Sequence, residues 1–457
     1  GEVVRKLDEA RLRRDLKALG KKGIEALTIS LINSFANGEH EAQVARIARE
    51  VLPGIPISLS SEIVPEMQEY ERTITTVANS YVRPKVETYV RNLHRQLQKT
   101  MSKVQLHILR SDGGLASAKA AESYPVNLLM SGPAGGVSGA VWVAQQAGFK
   151  NLLTFDMGGT STDVCLVENG KAQLRRETTV GDVVVRASSV DVRTVGAGGG
   201  SIAKVPELTK ALRVGPESAG AVPGPAAYNR GGTLPTVTDA NVVLGYLPSG
   251  EVRLGGDMKV RRDLAEAAVK SIADALSLSL KQAAAGIIDI VNENMYGALR
   301  LVSVEKGYDP RDFALIAFGG AGPLHANAIG KLMNSWPVII PPGPGVLCAY
   351  GDATTRVRDE ASRTFIRRFG ETTDKEVAKI FRSLAADASK ALDNEGIAKG
   401  DQSASYQVDI RYHGQGLLLT VDFEIEEFDR RGLEVIGERF DEMHRQLFTF
   451  ALPLEKE

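Results

Sequence analysis

The chain has 457 residues, 43% of them hydrophobic, with 55 Lys+Arg against 56 Asp+Glu and a formal net charge of −1. Single cores stop growing at about 250–300 residues, so two or more cores are expected. The balanced charge gives no electrostatic footprint for nucleic acid or an anionic membrane, which points to a small or neutral partner.

Helical periodicity from Leu7 to Leu19, the β-rich run IEALTISLINSF (24–35), the helical EHEAQVARIAREVL (39–52) and the short strand IPISLS (55–60) alternate as α/β. A long helix is expected from about Val64 to Lys99, with a kink or break at Pro84. VQLHILRSDGGLAS (104–117) predicts a strand and a glycine turn, with an alanine-rich stretch rather than a second strand after it. SGPAGGVSGAVWVAQQAG (131–148) predicts a loop and then a helix of small residues capped by Gly148.

LLTFDMGGTSTDVCLVENGK (152–171) predicts two strands joined by a glycine turn. Asp156 ends the first strand. Gly158 and Gly159 then remove side chains that would keep a phosphate from backbone amides, and Thr160, Ser161 and Thr162 add hydroxyls. Two functions fit this pattern: an ordinary hairpin tip, or an anion nest with Asp156 holding hydrated Mg²⁺ or orienting water.

Glycine and proline crowd residues 190–256, including VGAGGGSIAK (195–204), so loops and tight turns are expected there. No P-loop pattern occurs, and no helix follows GAGGGS as a dinucleotide fingerprint requires. Residues 261–306 are strongly helical in pattern, and DFALIAFGGAGPLHANAIGKL (312–332) predicts strand, glycine turn and helix. From about Thr364, charged helices alternate with strands. The expected domains are 1–102, an N-terminal α/β segment with long helices; 103–363, the core; and 364–457, an α+β region.

The remaining chemistry-bearing residues each allow a structural reading. Asp239 in PTVTDAN precedes a predicted helix and either caps it or serves as Mg²⁺ ligand or base. Asp191 and Arg193 form a charge pair or contact substrate. His325, in the first turn of a predicted helix, is expected to be a packed structural histidine. Cys348 has no neighbouring histidine to activate it, and Cys165 falls in a core strand. Two cysteines exclude a disulfide framework and a four-thiolate zinc site, and fit a cytoplasmic setting. His40, His107, His325, His413 and His444 show no transition-metal spacing. No apolar stretch reaches the roughly 18–20 residues that span a bilayer. Opening at Gly1 and ending at ALPLEKE, the chain is expected to be a portion of something longer.

The small-residue helix, the strand–DMGGT–strand unit and the later strand–FGGAG–helix, in that order, resemble the actin, heat-shock chaperone and sugar-kinase ATPase superfamily. EYERTITTVANSYVRP, SGPAGGVSGA, FDMGGTSTDV, VGAGGGSIA, VGPESAGAVPGPAAY, PTVTDANVVLG, AFGGAGPLHA and PPGPGVLCAYGD together resemble the hydantoinase A/5-oxoprolinase family, from about residue 20 to 360. The resemblance implies an α/β, two-lobed, actin-like (ribonuclease H-like) ATPase fold with an additional α+β C-terminal region. It implies ATP and Mg²⁺ as cofactors. The hairpin from Asp156 to Asp163 would hold phosphate through Gly158, Gly159, Thr160, Ser161 and Thr162, with Asp156 and Asp163 toward the metal and Asp156 and Asp239 catalytic. Gly198 and Gly199 would line the site, and Gly319, Gly320, Ala321 and Gly322 would form the adenosine-binding turn.

The family's members open cyclic amides such as hydantoins or 5-oxoproline, or serve as ATP-consuming subunits of ketone carboxylases. The resemblance therefore implies a small cyclic amide substrate, a hydantoinase B-type partner subunit and an oligomer. A carboxylase subunit and a non-catalytic nucleotide switch are the alternatives. The family's first phosphate hairpin is absent before FDMGGTSTDV, and the C-terminal region stops short of a full-length member. This polypeptide alone is therefore expected to be inactive.

Overall fold

A computed structural model describes residues 2–250, 253–254 and 258–452; the end of the glycine-rich stretch at 251–252 and 255–257, and the terminal Gly1 and residues 453–457, lie outside the described residues. The fold is mixed α/β. The chain divides into two compact units, one of residues 1–131, 175–189 and 356–457, the other of residues 132–174 and 190–355. This differs from three consecutive segments: the N-terminal and C-terminal regions share a unit, and the central core is shorter at both ends than 103–363.

In the first unit, Leu27–Ile29 pairs in parallel with Ile57–Leu59 across the helix Glu39–Val51. The β-rich run at 24–35 thus gives only three strand residues, and residues 32–36 turn instead. The long helix Glu69–Thr100 runs through Pro84 without a break. RSDGGLAS departs from expectation: His107–Leu109 and Leu115–Ser117 form an antiparallel hairpin, with Gly113 at φ +81° in the turn. Its Asp112 is buried, accepts from Gly114 N–H and is flanked by Arg110 at 2.9 Å and Arg358 at 3.7 Å. Two guanidiniums neutralise this carboxylate, so the turn resembles the Asp156 hairpin in pattern but not in electrostatics. The C-terminal region packs the helix Asp374–Asn394, the strands Tyr406–Ile410 and Leu419–Phe423, and two further helices around Phe381, Phe423, Phe428 and Phe440.

The second unit is built on a six-stranded sheet. Arg193–Val195, Thr162–Glu168, Leu152–Met157, Ala314–Phe318 and Val338–Ile339 lie side by side in that order, and Lys171–Ala172 pairs with Thr162–Glu168. Leu152–Met157, Ala314–Phe318 and Val338–Ile339 are mutually parallel, with Asp156 opposite Phe318. Strands buried on both faces read as continuous apolar runs, and Leu152–Met157 has that character. Side chains alternate: Leu153, Phe155 and Met157 enter the main core with Met295 and Val291 of the helix Leu280–Val302. Asp156 lies on the opposite face, toward the small-residue helix.

That helix begins at Ser131 rather than after a loop, and ends at Gln146, with Gly148 at φ +85° just beyond it. Its glycines permit close backbone approach. A Cβ on Gly139 would lie 2.4 Å from the carbonyl oxygen of Leu347, and one on Gly351 would lie 1.9 Å from that of Gly135. The helix Leu347–Thr354 is thereby seated directly on the small-residue helix.

Candidate functional site

Asp156 and Asp163 are direct cross-strand partners in the antiparallel hairpin, so both carboxylates share one face. Burial, and then the charge of Asp163, pushes the Asp156 carboxyl up to about 6. Burial likewise raises Asp163, opposed by a hydrogen bond of 2.5 Å from the Thr194 hydroxyl. Glycines make room for Asp156 on two sides. A Cβ on Gly136 would lie 3.3 Å from Oδ2, and one on Gly319 would lie 2.3 Å from Oδ1. Gly319 also has φ +82°, a conformation costly for any residue with a side chain.

The tip of the hairpin presents unpaired donors. Gly158 N–H closes the turn on Ser161 O at 3.0 Å. The amides of Gly159, Thr160 and Ser161 have no protein acceptor among the described residues. Gly159 and Thr160 are exposed, while Thr162 turns inward and donates to Ala197 O at 2.6 Å. Three successive amides open to solvent beside two carboxylates suit an anion bridged by a cation. Thr162 belongs to the hairpin's support, because its hydroxyl is consumed.

Gly198 and Gly199 occupy a place different from the expected lining of a ligand site. Both are buried, and their amides are spent: Gly198 N–H donates to Ser201 Oγ at 2.8 Å and Gly199 N–H to Gly158 O at 3.0 Å. Gly200 N–H donates to Gly159 O at 2.6 Å. A Cβ on Gly198 would lie 2.6 Å from the carbonyl carbon of Thr160. The loop therefore braces the hairpin tip from behind, and its glycines are required by backbone packing.

Asp239 is the third residue of the helix Val237–Leu244 and forms a reciprocal capping box with Thr236. It is fully buried and accepts from the backbone N–H groups of Ala226, Ala227 and Thr236 and from the Thr236 hydroxyl. With four donors on it, three of them on Oδ2, the carboxylate caps the helix and holds the Ala226–Ala227 turn against it. The adjacent Thr238 donates through its N–H and hydroxyl to Gly199 O, linking this cap to the brace.

The strand Ala314–Phe318 delivers the second glycine turn to the same end of the sheet. Gly319 N–H donates to Pro344 O and Ala321 N–H to Met157 O, both at 2.9 Å. Gly320 is exposed with open space at its Cβ position, whereas Gly322 is buried as the first residue of the helix Gly322–Met333. Ligands of open α/β sheets bind beyond the carboxyl ends of parallel strands, where Asp156 and Gly319 both sit.

The other residues singled out in the sequence lie apart from this chemistry. His325 is buried, its Nδ1 is 2.8 Å from Asn292 Oδ1 and its Nε2 is 3.4 Å from the Asn241 side chain; burial lowers its pKa to about 4. Asp191 pairs with Lys306, and Arg193 is exposed. Burial, then Asp156 and Asp352, push the Cys348 thiol up to about 11, the reverse of an activated nucleophile.

Thr194 is the site residue that sequence patterns leave unmarked, since only strand pairing places it opposite Asp163. Neither Asp156 nor Asp163 has an ion-pair partner among the described residues. Among those residues no three His, Cys, Asp or Glu side chains form a metal-binding cluster. Two uncompensated carboxylates next to free amides fit Mg²⁺, which takes one or two carboxylates and completes its shell with phosphate oxygens and water. No helix among the described residues is long and apolar enough to cross a membrane.

The chain is similar along most of its length to several known proteins. Caprolactamase subunit alpha of Pseudomonas jessenii is 35% identical over 451 residues, covering 98% of this chain and 64% of that protein. The acetophenone carboxylase gamma subunit of Aromatoleum aromaticum is 35% identical over 439 residues, covering 91% and 58%. The crystal structure of the ATP-dependent caprolactamase from Pseudomonas jessenii superposes with a TM-score of 0.86 at 33% identity, covering 99% of this chain and 66% of that one. The chain thus spans 58% to 66% of the length of these relatives. The sequence profile described as Hydantoinase/oxoprolinase matches residues 72–361, and that of the Hydantoinase/oxoprolinase N-terminal region matches residues 1–52. Since the first of these takes in the carboxylate hairpin, its glycine brace and the second glycine turn, the chain belongs to the hydantoinase/oxoprolinase family.

Proposed function

We propose that this chain carries the nucleotide site of an ATP-dependent hydrolase that opens a cyclic amide, of the hydantoin, 5-oxoproline or caprolactam type. The observation that carries the reading is the uncompensated Asp156–Asp163 pair beside the open amides of Gly159, Thr160 and Ser161, with the Gly319–Gly322 turn on the adjacent parallel strand. In this reading the fold is an actin-like, ribonuclease H-like ATPase core. The similarity to a caprolactamase subunit supports the substrate class and a partner subunit.

A lactam carbonyl is a poor electrophile. Transfer of the γ-phosphoryl group of ATP to its oxygen, with ADP leaving, activates the carbon; water adds to it, the ring C–N bond breaks as the nitrogen takes up a proton, and a second water hydrolyses the acyl phosphate so formed to carboxylate and phosphate. The amides of Gly159, Thr160 and Ser161 donate to phosphate oxygens, and the Gly319–Gly322 turn receives the adenosine end. Asp156 and Asp163 would hold Mg²⁺, which when bound would supply positive charge to offset that on the phosphoryl oxygens. Asp156 also lies where a carboxylate can orient water. Asp239 acts only by holding the helix beneath the brace. We place the protein in the cytoplasm as part of an oligomer.

The 35% identity to a carboxylase subunit favours one second reading, in which the activated oxygen is that of an enolised ketone awaiting carboxylation. A panel of lactams, hydantoins, 5-oxoproline and ketones separates the two, with ADP release measured for the full-length chain and a candidate partner subunit, with and without bicarbonate. Cyclic-amide-stimulated ADP release without bicarbonate is expected. An absolute bicarbonate requirement would transfer the assignment to the carboxylase reading. Nucleotide binding with no stimulation by any substrate would leave a nucleotide switch.

A further inference from the structure

We propose that Thr194 is a positioning residue for the hairpin: its hydroxyl holds one oxygen of Asp163 so that the other stays available to a divalent cation. The inference rests on the reading of Asp156 and Asp163 as the cation-holding pair. Thr194 lies directly opposite Asp163, where the strand Arg193–Val195 pairs with Thr162–Glu168, and its hydroxyl donates to Asp163 Oδ1 at 2.5 Å. Oδ2 has no protein partner among the described residues.

Asp163 is pulled two ways. Its cross-strand neighbour on the other side is Asp156, and like charges directly opposite one another repel. A half-buried aspartate in that position lowers its energy by rotating toward water, away from the shared face. The Thr194 hydroxyl opposes that rotation, and a β-branched side chain does so with little loss of rotamer freedom.

The strand that carries Thr194 is itself held. Within six residues of it, Ala197 O accepts from Thr162 Oγ1, and Gly199 and Gly200 donate to Gly158 and Gly159. One segment, 194–200, therefore fixes both the tip of the hairpin and one of its carboxylates.

The test uses the full-length chain with Mn²⁺ as the probe, titrated in the presence of ADP and read by the loss of the free-ion electron paramagnetic resonance signal. Thr194→Val keeps the shape and removes the donor; it should weaken Mn²⁺ binding about tenfold, the usual scale for groups that orient metal ligands. Thr194→Ser should stay within about twofold of the native protein, and metal-free ADP binding should be unchanged in both variants. Native-like Mn²⁺ affinity in Thr194→Val, with affinity lost in Asp163→Ala, overturns the inference alone. Equal weakening in Thr194→Ser and Thr194→Val also overturns it, because the hydroxyl would not be the cause. Native-like affinity in Asp163→Ala overturns the reading of the carboxylate pair, and this inference with it.

Discussion

Asp156 combines burial, a like-charged neighbour and, among the described residues, the absence of a paired cation. Its folded value of about 6 lies above the ordinary 3.8, so the folded state binds this proton more tightly than the unfolded chain. Ionisation above pH 6 therefore costs stability, at most about 2–3 kcal/mol, and the cost fades as pH falls through 6 toward 4. Asp156→Asn should reduce substrate-stimulated ATP turnover by at least about a hundredfold while raising the melting temperature by a few degrees at pH 7.5. At pH 4.5 the thermal gain should disappear. Unchanged turnover would remove Asp156 from the chemistry. His325 works in the opposite direction. Its folded value of about 4 lies below 6.5, so its contribution is full above pH 6.5 and is lost as pH falls toward 4, which makes the Asp156 variant necessary for separating the two.

The glycines of the site divide into two kinds by what surrounds them, and one experiment distinguishes them. A Cβ on Gly159 would meet nothing within 4 Å, whereas one on Gly198 would lie 2.6 Å from the carbonyl carbon of Thr160. Gly159→Val should fold with native stability yet lose ATP affinity at least about tenfold, because the side chain fills the space before the open amides. Gly198→Ala should instead lower stability by about 1–3 kcal/mol, the usual cost of forcing atoms into a packed site, and displace the tip. Equilibrium denaturation and nucleotide titration of both variants check this pair. Retained ATP affinity in Gly159→Val would show that the tip does not hold phosphate. In sequence the glycine patterns DMGG and GAGGG look alike. The strand ending at Met157 leaves Gly159 exposed, whereas Gly199 and Gly200 are buried with their N–H groups bonded to Gly158 O and Gly159 O.

For the whole chain, the first unit draws on three separated segments, and a partly buried ionic cluster joins them. Glu66 accepts from Arg176 at 3.0 Å and Arg186 at 2.9 Å, and Ser362 donates to it at 3.2 Å. Arg176 also reaches Asp409 at 3.2 Å. Removing one partner strands the others, a change that costs about 3–5 kcal/mol when such groups are buried. Glu66→Ala should approach the lower end of that range in chemical denaturation of the full-length chain, since Arg176 is one-third exposed, and Glu66→Gln should cost less because it keeps an acceptor. A loss under 0.5 kcal/mol would show that the cluster does not hold the segments together.

The ordered motifs FDMGGTSTDV, VGAGGGSIA and AFGGAGPLHA made the family and both glycine turns legible, because short-range backbone geometry imposes glycine and aspartate at set positions. Local pattern likewise anticipated the hairpin Leu152–Glu168, the helix after FGGAG and the buried His325. What it left open depended on partners distant in sequence. Asp239 is a cap because Ala226 and Ala227 donate to it, and RSDGGLAS closes as a hairpin around a carboxylate that Arg358 helps neutralise. Gly198 and Gly199 brace because the hairpin tip consumes Gly199 N–H, and Thr194 becomes a site residue only through strand pairing. Sequence determined which residue types could serve a phosphate; tertiary structure decided which of them keep free amides and lone pairs, since a hydrogen bond made inside the fold is one no ligand can use.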